Sequence, residues 1–75
     1  MAVVTLSVVI HREDDFYVAE CPELGTVSQG RTIEEAVANL KEATGLYLEE
    51  QEEPLTVARA ILTTFSIDTA NAEAA

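Results

Sequence analysis

The chain has 75 residues, of which 48% are hydrophobic and 24% charged, which is enough for one small domain. Fourteen acidic residues against four basic ones leave a net charge of −10 at pH 7. Such a surface repels phosphates, so we expect no direct binding to nucleic acid or to anionic membranes. It attracts basic proteins instead, and the thin core of so short a chain favours self-association.

The cysteine content and the hydropathy pattern bear on the cellular compartment in which the protein is expected. A single cysteine, Cys21, excludes an internal disulfide and is typical of a reducing environment. The first residues alternate like a strand and do not resemble a secretion signal, and no apolar run approaches the roughly 18 residues of a membrane span. We therefore predict a soluble cytoplasmic protein.

The first half of the chain predicts a three-stranded meander. Residues 3–11 alternate apolar and polar side chains with many β-branched residues, which is typical of a half-buried strand. A charged turn at residues 12–15 leads to a second strand at residues 16–21, which Pro22 ends because it lacks a backbone donor. A short third strand is predicted at residues 26–29, closed by Gly30.

The helix has the clearest sequence signals. Thr32 followed by Glu35 forms a capping box, which predicts a helix beginning at the next residue and limited at its far end by Pro54. Gly45 inside this helix predicts a close contact at that position. The predicted buried stripe consists of Ile33, Ala36, Val37, Leu40, Thr44, Tyr47 and Leu48.

The last part of the chain completes the predicted fold. Residues 57–67 return to an alternating pattern and predict a fourth strand, whereas residues 68–75 have little to bury and are predicted to fray. The order β-β-β-α-β predicts an α+β domain over residues 1–67. We expect a two-layer sandwich, with a mixed four-stranded sheet and one helix packed across one of its faces.

The sequence offers little for catalysis, so we expect no enzyme, no cofactor and no metal. His11 is the single histidine and is interpreted as a solvated strand residue rather than a general base. Cys21 is flanked by Glu20 and Glu23, which disfavour a thiolate, so a quiet and partly buried cysteine is predicted. Glu20 and Glu23 could meet across the proline turn, but two carboxylates are weak evidence for a metal site.

Acidic residues form the candidate partner-binding surface. Several crowd the end of the helix, where the helix dipole is negative and disfavours them. Either they form a solvated, solubilising helix end or they dock a basic partner. The candidate partner-binding residues are Glu20, Glu23, Glu49, Glu50, Glu52 and Glu53.

The stretch from Tyr17 to Ala43 resembles the HicB-like antitoxin family. The resemblance is carried by Pro22-Glu23-Leu24-Gly25, by Ser28-Gln29-Gly30 and by the capped helix that follows. It implies a single-domain member with a partly degraded ribonuclease H-like fold. It also implies a module that binds and masks HicA, a small basic ribonuclease toxin. The DNA-binding module of longer members is not expected here, and the absence of acids from residues 3–10 argues against a metal-dependent nuclease.

The open face of the predicted sheet is the candidate self-association surface. It should display Val3 and Val9 with either the Tyr17-Ala19-Cys21 row or the Phe16-Val18 row, depending on the strand register. Exposed apolar area of this kind often marks an interface, so we predict a homodimer or a dimer of dimers that Val9→Lys would disrupt. The alternative function is an orphan homo-oligomeric scaffold without a toxin partner.

Overall fold

The computed structural model describes residues 3–51 and 58–70 of the chain. Its elements are β1 (Val9–Glu13), β2 (Phe16–Cys21), β3 (Thr26–Gly30) and α1 (Ile33–Glu49). The three strands form one antiparallel sheet in the order β1-β2-β3. The described part of the chain is therefore α+β, as predicted, and none of its helices is both long and apolar enough to cross a membrane.

The first strand is displaced from its predicted position. Residues 3–8 lie outside the ladder between β1 and β2. At its other end β1 continues to Glu13, and only Asp14 and Asp15 form the turn to β2. The last registered pair is Val9 with Glu20, and because β2 ends at Cys21, before Pro22, residues 3–7 have no strand opposite them. The turn can be tighter than the predicted four residues because Asp14 adopts a positive φ of 52°, which aspartate tolerates better than most residues.

The structure shows no fourth strand over the described residues 58–67. Val57 lies outside the described residues, and residues 58–67 carry no strand. A strand requires a hydrogen-bonded neighbour, whereas residues 61–67 are exposed to solvent along their whole length. The mixed four-stranded sheet and the complete two-layer sandwich are therefore absent from the described residues. Of the predicted frayed tail, residues 68–70 are exposed and residues 71–75 lie outside the described part.

The helix begins as predicted and packs on β3 and β2. Thr32 is the N-cap, and its hydroxyl accepts a hydrogen bond of 3.0 Å from the Glu35 N–H. The Glu35 carboxylate accepts in turn from the Arg31 N–H at 2.6 Å, so the side chain returns one residue beyond the N-cap. The buried stripe is narrower than predicted, because Ile33 and Tyr47 are 45% and 39% exposed. The buried core consists of Ala19, Cys21, Ala36 and Leu40.

The strand register settles which residues face the helix. Side chains alternate between the two faces of a strand, and Ala19 and Cys21 are buried under α1, so Tyr17 shares their face. The Phe16-Val18 row lies on the opposite face, called here the outer face. Val9 lies on it too, directly across from Glu20. Of the two alternatives that the sequence left open, the Phe16-Val18 row is the correct one.

Candidate functional site

An apolar groove runs between residues 3–8 and the helix. It has a volume of about 420 Å³ and is open to solvent. The N-terminal stretch lines it with Val4, Leu6, Ser7 and Val8, and the buried Cys21 also borders it. The one charged residue in its described lining is Lys41. Its apolar walls are formed by Val4, Leu6 and Val8 on one side and by Val37, Leu40 and Leu48 on the other.

The Glu23 carboxylate joins two distant parts of the chain beside this groove. One oxygen accepts a hydrogen bond of 2.9 Å from the Ser7 N–H, and the other accepts one of 3.0 Å from the Ala60 N–H. These bonds favour the charged carboxylate. The pKa of Glu23 is lowered from 4.5 to about 2, chiefly by the Ala60 N–H and next by a hydrogen bond from the Ser7 hydroxyl. Partial burial of the carboxylate opposes this shift.

Glu23 has contacts within the chain that its predicted role as a partner-binding residue did not include. It was a candidate for binding a partner, but both of its oxygens accept hydrogen bonds from within the chain. Sequence reasoning did not find Ser7 and Ala60, which lie 16 and 37 residues away from Glu23 along the chain. The available signal was that a carboxylate directly after Pro22 sits in a turn. A turn carboxylate readily accepts backbone N–H groups.

The outer face brings Glu20 together with apolar residues. Glu20 is flanked by Val9 on β1 and by Val27 on β3, and Val27 is 55% exposed. Of the candidate self-association residues, Val9 is half-buried in the sheet, whereas Val3 is 92% exposed in the stretch outside it.

The end of the helix presents the remaining described acids. Glu49 is the last residue of α1 and Glu50 is its C-cap, and both are exposed. The last turn of this helix carries no basic residue. The negative end of the helix dipole and the carboxylates of Glu49 and Glu50 therefore produce a region of negative potential at this end of the helix. Glu52 and Glu53 lie outside the described residues.

The two residues that were considered for catalysis, Cys21 and His11, lie in different environments. Cys21 is only 1% exposed and its Sγ lies 3.5 Å from an oxygen of Glu23, so the thiol is more deeply buried than predicted. His11 is exposed in β1, as predicted. Over residues 3–51 and 58–70, no group of three His, Cys, Asp or Glu side chains could hold a metal ion.

These features define a small α+β protein whose recognisable sites are surfaces: an apolar groove, an outer sheet face and an acidic helix end. The chain is similar to a UPF0150 protein from Helicobacter pylori strain J99, with 46% identity over 48 residues, or 63% of this chain and 67% of that protein. It belongs to the UPF0150 family. No protein-family model matches the chain, and no solved structure does.

Proposed function

We propose that this protein is an antitoxin-like binding module that masks a small basic ribonuclease of the HicA type. The observation that carries the proposal is the net charge of −10, which suits a strongly basic partner and opposes direct contact with nucleic acid. The resemblance of the stretch from Tyr17 to Ala43 to the HicB-like family supports it, as does the relation of the UPF0150 family to HicB-like families.

Two described surfaces suit such a partner. Glu49 and Glu50 extend an exposed negative helix end, and they would steer a basic protein towards the domain. On the outer face, Glu20 lies between two valines, which combines a charge with apolar area. An interface with a central apolar patch and charged surroundings has the usual composition of a protein–protein contact. Masking by occlusion requires no catalytic step, cofactor or metal from this chain.

The finer architecture is part of the same proposal. Residues 61–67 retain the alternation of a strand, with Ile61, Phe65 and Ile67 on one side. Pairing with residues 3–8, whether of the same chain or of a second copy, would give the four-stranded sheet and the two-layer sandwich of the HicB-like fold.

Co-expression with a small basic HicA-type ribonuclease tests the proposed function. The wild-type chain should restore growth and purify in a complex with the toxin, and Glu49→Lys with Glu50→Lys should weaken both effects. The matched control is Glu13→Lys with Asp15→Lys, which changes the net charge equally at the exposed hairpin turn. If the wild-type chain neither rescues growth nor binds the toxin, the antitoxin function is wrong. Equal losses in the two variants would mean that total charge, rather than the helix end, drives association.

The alternative function is an orphan homo-oligomeric scaffold. The specific observation in its favour is the apolar outer face, where Phe16, Val18 and Val9 are only half-buried and Val27 is exposed. A scaffold of this kind would form a stable homo-oligomer through the outer face and ignore basic ribonucleases. Binding of a basic ribonuclease by the wild-type chain would decide against it.

A further inference from the structure

The same chain contains an empty apolar groove and an exposed apolar segment. The groove between residues 3–8 and α1 has a volume of about 420 Å³. In the segment of residues 61–67, Ile61 is 91% exposed, Phe65 is 84% exposed and Ile67 is 62% exposed. These three side chains share one side of an extended chain, because they are separated by even numbers of residues. The groove lacks an apolar occupant, and the segment lacks an apolar environment.

Large apolar side chains exposed together are unusual on a monomer. Leu62 is 61% exposed, in addition to Ile61, Phe65 and Ile67, so every large apolar residue of the segment faces solvent. An exposed apolar stretch of this kind more often marks an interface than a free surface.

The segment begins at the groove but does not enter it. The Ala60 N–H is held by the Glu23 carboxylate, which also binds the N–H of Ser7, a residue that lines the groove. From this anchor, seven extended residues span about 23 Å, which matches the length of about 25 Å of the 17-residue helix that forms one wall. The exposure of residues 61–67 shows that the segment leaves its own groove open.

Two further properties fit the groove to this segment. Residues 3–8 belong to no strand ladder in the described structure, so this stretch can form new backbone hydrogen bonds along an edge. Residues 61–67 carry no charge, and the charged residue of the described groove lining is Lys41. The segment would therefore enter without repulsion from the acidic surface that covers much of the protein.

We propose that residues 61–67 of each chain lie in the groove of a second copy, beside its residues 3–8, and so form a symmetric strand-exchanged homodimer. Ala60 is the hinge at which each segment leaves its own domain. The exchange buries Ile61, Phe65 and Ile67 against Val4, Leu6 and Leu48 of the other copy. A two-fold axis closes the assembly, since each copy donates one segment and receives one. This inference does not depend on the proposed binding of a toxin.

The first test measures the mass of the full-length chain at micromolar concentration by light scattering and native mass spectrometry. The wild-type chain should be a dimer, and Phe65→Asp should be a monomer that retains its helical circular dichroism. The matched control is Val27→Asp, which places the same charge on an exposed residue of the outer face. It should leave the dimer intact.

The second test uses complementation between two defective chains. Val4→Asp damages the groove but keeps the segment, whereas Phe65→Asp damages the segment but keeps the groove. Each should be monomeric alone. Their mixture should form a heterodimer, because the segment of the first fits the groove of the second.

Four outcomes would overturn the proposal. A monomeric wild-type chain would mean that the segment folds into its own groove or stays free. A dimer that survives Phe65→Asp, or one that Val27→Asp dissociates, would place the interface elsewhere, in the second case on the outer face. A mixture of the two defective chains that remains monomeric would show that segment and groove do not meet between copies.

Discussion

The helix covers two neighbouring regions of the domain to different extents: the strands β2 and β3, and the N-terminal residues 3–8. Over β2 and β3, α1 packs closely, and Ala19 and Ala36 are fully buried between the layers. Beside residues 3–8, the same helix forms only one wall of an open groove. The covered half holds the core of the domain, whereas the open half holds the apolar surface that is still available for another segment.

Polar contacts reinforce this difference. On the covered side, the hydroxyls of Thr26 and Thr44 lie 2.7 Å apart across the layers, and the Asn39 amide donates to the Gln29 carbonyl at 2.8 Å. Both bonds tie α1 to β3. On the open side, the long-range polar link is the Glu23 carboxylate with its two backbone donors. The covered half is thus fixed by packing and side-chain bonds, and the open half by one carboxylate.

The largest expected effect comes from a cavity in the core, at Leu40, which packs in the covered half and also borders the groove. Leu40 is 5% exposed and belongs to the core, so Leu40→Ala should lower the free energy of unfolding by about 3 kcal/mol. The matched control is Leu46→Ala on the same helix, where the leucine is 57% exposed and the loss should stay below about 0.5 kcal/mol. Urea denaturation at one fixed protein concentration measures both. Similar losses in the two variants would contradict the distinction between covered and open surfaces.

A smaller loss is expected where β3 meets the start of the helix. A Cβ added at Gly30 would lie 2.5 Å from the Ala36 nitrogen and 2.8 Å from the Glu35 carbonyl carbon. These are backbone atoms, so relief requires a shift of the helix. Gly30→Ala should therefore cost about 2 kcal/mol of unfolding free energy, measured in the same urea series. A neutral Gly30→Ala would show that the layers are looser than this spacing implies.

A gain in stability, rather than a loss, is expected from a substitution at Gly45, on the open side. The sequence predicted a close contact there, and that prediction is wrong: among the described residues nothing lies within 4 Å of a Cβ added at Gly45. Alanine should fit without strain and favour the helix, so Gly45→Ala should raise the free energy of unfolding by up to about 1 kcal/mol. Destabilisation by Gly45→Ala would mean that the groove is occupied in solution and has no room for a methyl group.

The covered half was predictable because its signals are local. The Thr32–Glu35 capping pair and the helical spacing of Ala36 and Leu40 predict α1, and the structure confirms it. The alternation along β2, ended by Pro22, likewise predicts a strand that the structure contains. Such patterns depend on neighbours a few residues apart, so a single sequence carries them.

The open half was less predictable because its contacts are not local. Residues 3–8 alternate as well as β1 does, yet they have no ladder partner because β2 ends at Cys21. Residues 61–67 alternate too, but alternation indicates a strand without identifying its neighbour. Nothing near Glu23 in the sequence points to donors at Ser7 and Ala60. Strand existence is a local property, whereas strand pairing is not.

The smallest expected effect concerns the link at Glu23. Its pKa is lowered in the folded state from 4.5 to about 2, so the charged carboxylate stabilises the fold. This contribution is complete above about pH 4.5 and is lost as the pH falls through about 2, because protonation then removes the acceptor charge. The effect should be local, at the residues that the carboxylate holds, rather than a loss of the core.

An NMR titration from pH 6 to about pH 1 checks this local effect, because the range must extend below the expected midpoint. The amide protons of Ser7 and Ala60 donate to the two oxygens of one carboxylate, so their chemical shifts should change together with a common midpoint near 2. Glu23→Gln should abolish that titration, because an amide does not ionise in this range, whereas Glu42→Gln on the exposed helix surface should leave it unchanged. A shared midpoint near 4.5 would mean that the carboxylate is solvated in solution. The segment that begins at Ala60 would then lack its anchor, since the two amides report the bonds that hold residues 3–8 and residue 60 side by side.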